Sequence, residues 1–392
     1  MEDIPMLWKL LNQKFTDTGL ARGVFSAPGR VNLIGEHTDY NEGFVLPIAI
    51  GKKIMMLAQL RKDRLVQVFD AIGKSEVQFS LDDLNPLNKE TWARYLMGVA
   101  DEMQKAGYLM QGANIIFTSN IPQRVGLSSS AALEVATALT MSKLNRLEMN
   151  PLEMAHICRR AENNFVGVAC GIMDQYVSCL GKKNHALFID CRTNDYRLIP
   201  FKDNHYQIVI CNSGIQRGLI DSEYNKRRTE CEEATAFLNN KSNRRIKALR
   251  DVSMAELEKY KTRLPKVIFK RAGHVISENH RTQLAINALS GDDYTAFGRL
   301  MIESHQSLKD NYEVSCDELD ILVESALKQK GVLGARMTGA GFGGCTVNLV
   351  QKEFINAFKK KMKQEYEKKT GIIPEIFMTP PAEGAEVIAF IK

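Results

Sequence analysis

The stretch Gly29-Arg-Val-Asn-Leu-Ile-Gly-Glu-His-Thr-Asp-Tyr-Asn-Glu-Gly43 crowds an arginine, a histidine and several acids into one short segment. Val31, Leu33 and Ile34 tie it to core-forming strands, and Gly35 and Gly43 imply a constrained backbone. Carboxylates and an imidazole make directional hydrogen bonds, so Arg30, Glu36, His37 and Asp39 suit a polyhydroxylated ligand. Taken alone, the segment reads equally well as a surface loop laced with salt bridges.

Around it, residues 24–36 read as strand, turn, strand, broken at Pro28-Gly29, after a short helix over 7–15. Residues 48–60, 65–69 and 113–117 predict strands, and 92–105 has helical spacing. A long helix follows Gly126, where Ala132, Val135, Ala136 and Leu139 form one apolar stripe. Beyond it come strands over 186–190 and 207–211, then helices from 222–238 to about residue 330. A glycine-rich turn, a strand over 346–350, a helix over 353–367 and a final strand close the chain. Strands and helices mix without β-α-β alternation, which implies an α+β fold in two lobes. The expected division is an N-terminal lobe over 1–195, holding the polar loop and a serine loop, and a C-terminal lobe over 196–392, holding helices and the glycine turn.

The 392 residues are 44% hydrophobic and 25% charged, which excludes a mostly disordered chain. A balance of 52 basic against 46 acidic residues leaves only +6, and the basic clusters at 226–228, 244–250 and 359–363 lie close to acids. Solvated helix faces are expected there, with no nucleic-acid partner. The eight cysteines form no C-x-x-C pair, so neither a zinc site nor a disulfide framework is expected, and reduced thiols in the cytoplasm are. Acids at Glu2 and Asp3 stand where a signal peptide carries base, and no apolar run reaches the roughly 18 residues of a membrane span. A cytoplasmic protein without a membrane partner is the expectation.

Two nucleotide motifs match only in part. Gly73-Lys74-Ser75 resembles the end of a phosphate-binding P-loop, but Val68 stands where the first glycine belongs. Gly339, Gly341 and Gly344 fit a dinucleotide fingerprint, yet the run leads into a strand rather than a helix. The loop Ile121-Pro-Gln-Arg-Val-Gly-Leu-Ser-Ser-Ser-Ala-Ala132 is more informative, because it opens the long helix with three serines. Free N–H groups and the helix dipole at such a terminus attract phosphate, and serine hydroxyls add phosphate or Mg²⁺ contacts. Asp174, beside Gly171, Ile172 and Met173, is either a helix-start cap or a base in a desolvated site. Glu162 reads as a solvated helix residue or a metal ligand.

Together with residues 336–344, these segments resemble the galactokinases of the GHMP kinase superfamily. The similarity continues through 161–192, 222–228 and 312–316 in family order, covers nearly the whole chain, and is most specific over 29–47. The resemblance implies a two-lobed GHMP kinase fold of mixed sheets and helices, with the active site in the cleft between lobes. It implies transfer of phosphate from Mg-ATP to the anomeric hydroxyl of α-D-galactose, the first committed step of galactose catabolism. By resemblance, Asp174 is the base and Arg30 its charge partner, while Glu36, His37, Thr38, Asp39, Gly171 and Tyr224 hold the sugar. Arg124, Val125, Gly126, Leu127, Ser128, Ser129 and Ser130 would wrap the ATP phosphates, Ser130 and Glu162 would ligate Mg²⁺, and the enzyme would be a monomer.

One departure stands out. Family members carry a glycine where this chain has Arg124, and a small residue where it has Val125, which implies a retained kinase with altered ATP affinity. Two rivals remain: a kinase for N-acetylgalactosamine or another sugar, and a catalytically silent sensor that binds galactose and ATP.

Overall fold

The computed structural model describes residues 3–85, 91–123, 125–168, 170–202, 205–215 and 220–391. A period of two in its strands sorts the core into layers. In β3 (Pro47–Leu60), Met55 and Leu57 pack with Leu7, Leu11 and Phe15 of the first helix and its C-terminal end, whereas Ile54, Met56 and Ala58 join the main core. Six strands form this sheet in the order β13-β1-β3-β6-β4-β5, with β1 (Arg22–Asn32), β4 (Leu65–Asp70), β5 (Glu76–Ser80), β6 (Ala113–Ser119) and β13 (Glu386–Ile391). Only the β4–β6 pairing is parallel. A second, antiparallel sheet runs β10-β11-β9-β12, from β9 (Tyr206–Asn212), β10 (Val332–Thr338), β11 (Cys345–Gln351) and β12 (Glu375–Thr379). A third holds β2 (Phe44–Val45), β7 (His185–Asp190) and β8 (Tyr196–Pro200).

Helix α1 (Asp3–Lys14) covers one face of the first sheet, and α3 (Ser129–Leu144) lies on the other among α2 (Ala93–Lys105), α4 (Pro151–Arg160) and α5 (Met173–Leu180). The second half contributes α6 (Ile220–Lys241), α7 (Met254–Glu258), α8 (Lys266–Ser290) and α9 (Tyr294–Ser307). Helices α10 (Asp317–Leu327) and α11 (Ile355–Thr370) cover the second sheet. A π-helical turn follows α4 over Ala161–Val166 and another follows α9 over Leu308–Tyr312. Among the described residues, no helix is long and apolar enough to cross a membrane, and all eight cysteines are free.

Several expectations change. Residues 24–36 are not strand, turn, strand: β1 runs unbroken through Pro28-Gly29, and a register slip against β3 between Pro28 and Arg30 absorbs the proline. Helix α3 carries no single apolar stripe, because nearly every residue from Ala131 to Ser142 is buried. Strand β10 went unread because Gly334 and Arg336 interrupt its apolar pattern, although Arg336 is wholly buried. The closing segment is two strands, and β13 pairs with β1. A cut between 195 and 196 therefore severs the β7–β8 hairpin and separates β13 from its sheet.

Helix α9 reaches β10 through glycine. A Cβ on Gly298 would lie 2.4 Å from the Leu333 carbonyl oxygen, and one on Gly334 would lie 2.4 Å from that of Gly298. We expect Gly334→Ala to destabilise the protein by about 1–3 kcal/mol, as overpacking does, read from the urea midpoint at constant slope. An unchanged midpoint would show that the helix can move away freely.

Candidate active site

The slip in β1 leaves Arg30 facing the start of α5, and a bidentate pair results. Arg30 Nε donates to Asp174 Oδ1 at 2.8 Å, and Nη2 donates to Asp174 Oδ2 at 2.9 Å. Its third nitrogen, Nη1, donates to the Gly126 carbonyl at 2.5 Å, and its backbone N–H to Leu127 O at 3.1 Å. Gly29 permits this approach, since a Cβ there would fall 2.5 Å from Leu127 O. Burial disfavours the Arg30 charge, but Asp174, Glu36 and Asp39 outweigh it and raise the guanidinium pKa. The Ser128 hydroxyl also donates to Asp174, from a left-handed backbone (φ 57°) that opens α3.

These groups floor a cavity of about 320 Å³. All the expected site residues line it except two: Thr38, and Arg124, which lies outside the described residues. Thr38 is turned into its own loop, where its hydroxyl bridges the Gly35 and Phe44 carbonyls at 2.8 and 2.7 Å. His37 also differs from a free sugar ligand, because both ring nitrogens have partners. The Ala340 carbonyl, 3.2 Å from Nε2, can only accept, so Nε2 carries the proton. Burial, then His274, lower the His37 pKa to about 3, so Nδ1 is bare and accepts from the Tyr40 hydroxyl at 2.8 Å. Asp39 lies so close to Gly171 that a Cβ there would meet Asp39 Oδ2 at 2.1 Å. Burial, then repulsion from Asp174, push Asp39 up to about 6. The Tyr224 ring closes this side, 5.8 Å from that of His37.

On the opposite side, Ser129 and Ser130 present the N-terminus of α3. Ser130 bonds the Glu162 carboxylate, which also accepts from Cys170 Sγ at 3.2 Å and Gln175 Nε2 at 2.6 Å. Glu162 sits in the first π-helical turn, a bulge that frequently marks functional positions. Gln175 Nε2 is shared with Glu134 at 3.0 Å, and Glu134 Oε1 is buried without a hydrogen-bond partner. Burial, then mutual repulsion among the acids, raises the pKa values of Glu134 and Glu162. A hard cation is what such an acid-rich, under-neutralised site accommodates. Among the described residues, no three His, Cys, Asp or Glu side chains converge into a metal cage, so a cation here must complete its shell with phosphate oxygens and water.

The glycine turn backs the serine loop closely. A Cβ on Gly344 would lie 2.9 Å from Val125 O, and one on Gly339 would lie 3.3 Å from Gly126 O. Trp92 and Tyr95 pack against the main core, with Trp92 Nε1 donating to Ser75 Oγ at 3.2 Å.

Family models match on this frame: the galactokinase galactose-binding signature over residues 11–60, the GHMP kinase N-terminal domain over 94–182, and the GHMP kinase C-terminal domain over 285–368. The chain is 44% identical over 371 residues to a galactokinase of Clostridium acetobutylicum, covering 93% of this chain and 94% of that one. It is 45% identical over 361 residues to a galactokinase of a Roseiflexus species, with 92% of each covered. The crystal structure of Lactococcus lactis galactokinase complexed with galactose superposes with a TM-score of 0.93 at 37% identity, covering 98% of this chain and 99% of that one. The chain belongs to the galactokinase family.

The galactokinase signature spans β1, the polar loop and β3, but the support for that loop lies outside it. Glu278 on α8 accepts from the Gly35 and Glu36 N–H groups at 3.0 and 3.3 Å and from Ser304 Oγ at 2.7 Å. His274 lies 3.1 Å from the Glu36 carbonyl, and Asn279 Oδ1 accepts from Phe44 N at 2.8 Å. None of these was legible as a site residue of a galactokinase, since they sit over 200 residues from the loop and look like ordinary helix polars. Burial alone would raise the Glu278 carboxyl, but Arg281, His274 and Arg336 bring it down to about 2. That is below the unfolded value near 4.3. The stabilisation is therefore present above that value and lost as pH falls toward about 2. We expect Glu278→Gln to lose on the order of 3 kcal/mol at neutral pH, and its urea midpoint to fall less steeply than the parent's on acidification. Parallel pH profiles would refute this role.

Proposed function

We propose that this member of the galactokinase family transfers the γ-phosphoryl group of ATP to the anomeric hydroxyl of galactose, with Asp174 as base. The bidentate Arg30–Asp174 pair on the cavity floor is the observation that carries the assignment. The sugar-kinase activity is supported by the galactokinase relatives and the GHMP domains. The geometry above supports the residue roles in this reading.

Arg30 occupies one side of the carboxylate through Nε and Nη2, and holds it in one orientation. The hydroxyl proton of the sugar passes to Asp174 as the anomeric oxygen attacks the γ-phosphorus and the bond to the ADP oxygen breaks. Asp39, with Glu36 and the peptide at Gly171, orients the sugar, and Tyr224 covers it. The α3 N-terminus, with Ser128, Ser129 and Ser130 and the backbone of Val125, Gly126 and Leu127, faces the phosphates. Ser130 and Glu162 would hold Mg²⁺, whose chemistry when bound is neutralisation of phosphate charge. Free cysteines support reading the chain as a cytoplasmic enzyme, and monomeric action is part of the same proposal.

The decisive measurement is ADP release from Mg-ATP with galactose, glucose, N-acetylgalactosamine or no sugar. Galactose-dependent turnover should fall by about 10²–10⁴-fold in Asp174→Asn. Turnover with N-acetylgalactosamine alone would favour the rival sugar kinase. No turnover with any sugar, while galactose and ATP still raise the melting temperature, would make the protein a sensor. A second outcome follows from Asp39: it is ionised above about 6 and protonated below, so kcat/KM for galactose should decline as pH falls through that value. The decline should vanish in Asp39→Asn, and an identical acid limb in that variant would assign it elsewhere.

A further inference from the structure

The wall between the polar loop and the glycine turn is made of two adjacent contacts of opposite sense. Glu36 Oε1 accepts the Gly339 N–H at 2.6 Å, and His37 Nε2–H faces the Ala340 carbonyl at 3.2 Å. Neighbouring side chains of one loop thus grip neighbouring peptides of the other. The turn has little freedom to yield, because Phe342 N donates to Val314 O at 2.7 Å and Gly344 N to Ile215 O at 3.2 Å. It also lies against Val125 and Gly126 of the phosphate-facing loop.

Behind Glu36 stands Arg336, wholly buried and outside the cavity lining. Its Nη2 donates to Glu36 Oε2 at 2.7 Å and its Nη1 to Asn32 O at 2.9 Å. The bond to Asn32 O duplicates one from Thr338 Oγ1 at 3.0 Å, so β10 and β1 are stitched together without it. What Arg336 supplies beyond that stitch is a charge-assisted bond to Glu36, on which it is the largest favourable charge, ahead of Arg30. Arg336 Nε has no hydrogen-bond partner, so Glu36 and Asn32 are the contacts that fix the guanidinium. A carboxylate has about four acceptor positions. Asn32 Nδ2 at 2.9 Å, Arg336 and Gly339 fill three, which leaves one for a sugar hydroxyl.

We propose that Arg336, which touches neither substrate, is a positioning residue for the reaction: it holds the Glu36 carboxylate between the sugar pocket and the Gly339 peptide, and so couples galactose binding to the phosphate side of the site. This rests on the reading of the cavity as a galactose and ATP site. Coupling of this kind is reciprocal, so each ligand tightens the other by the same factor.

The test uses the full chain with Arg336→Met, Arg336→Lys and, as a control, Thr338→Val. Steady-state constants are normalised to the folded fraction, and galactose binding is measured by calorimetry with and without a non-hydrolysable ATP analogue. Arg336→Met should raise the KM of galactose and of ATP each about tenfold, the loss of one charge-assisted bond. Arg336→Lys keeps the charge but cannot span both acceptors, and should raise both by about threefold. The strengthening of galactose binding by the analogue should shrink toward none in both. Thr338→Val should lower the melting temperature alone. Parental KM values and parental coupling in either arginine variant would overturn the proposal, and Arg336→Lys decides the matter if the methionine variant does not fold. An inactive parent would sink the kinase reading instead, while the calorimetric coupling would still test Arg336.

Discussion

The pairing of Arg30 with Asp174 is the constraint on which the site depends. It joins residues 144 apart in sequence on the floor of a cavity, with the arginine side chain only 8% exposed. Desolvating both charges is costly, and the interaction is favourable only with good geometry and all remaining donors engaged. The geometry is good, because the guanidinium makes a bidentate contact, and its third nitrogen also donates to Gly126 O. The register slip in β1, the bare Gly29 and the start of α5 at Met173 are the backbone features that bring the two groups together.

Beyond that pair, the site carries more negative charge than it neutralises. Glu36, Asp39, Glu134, Glu162 and Asp174 converge on the cavity and its immediate support, against the buried Arg30 and Arg336. Burial first, and then repulsion among these acids, raise the pKa values of Asp39, Glu134 and Glu162. On the proposed reading, the charge of a polyphosphate approaching such a floor would be met by the amides opening α3 and by a cation beside Ser130 and Glu162. The other side is closer to neutral, where His37 is uncharged and packs beside the Tyr224 ring.

Much of this was legible in the sequence where chemistry is local. Residues 29–43 show their polar density without tertiary information, and the three serines could be read as a helix start, a signal that is weak for phosphate binding when taken alone. Asp174 could be singled out because its neighbours are apolar. The supporting groups were hidden because their meaning arises only on folding. Glu278 and His274 lie on an ordinary-looking helix until α8 is laid against the loop. Arg336 masked its own strand, since a fully buried arginine in a core strand looks like an exposed one from sequence alone. Thr38 misled in the opposite direction: its place among ligand-like residues conceals that its hydroxyl serves the backbone of its own loop.

The return of β13 to β1 bears on how the chain is assembled. Arg22–Ser26, which lead directly into the segment carrying Arg30, pair on one side with residues 386–391. A nascent chain leaving the ribosome therefore exposes the unpaired backbone edge of β1 until residues 386–391 have been synthesised. Until then that edge can pair with other strands, so the first sheet is completed only once both strands, more than 350 residues apart in sequence, are present.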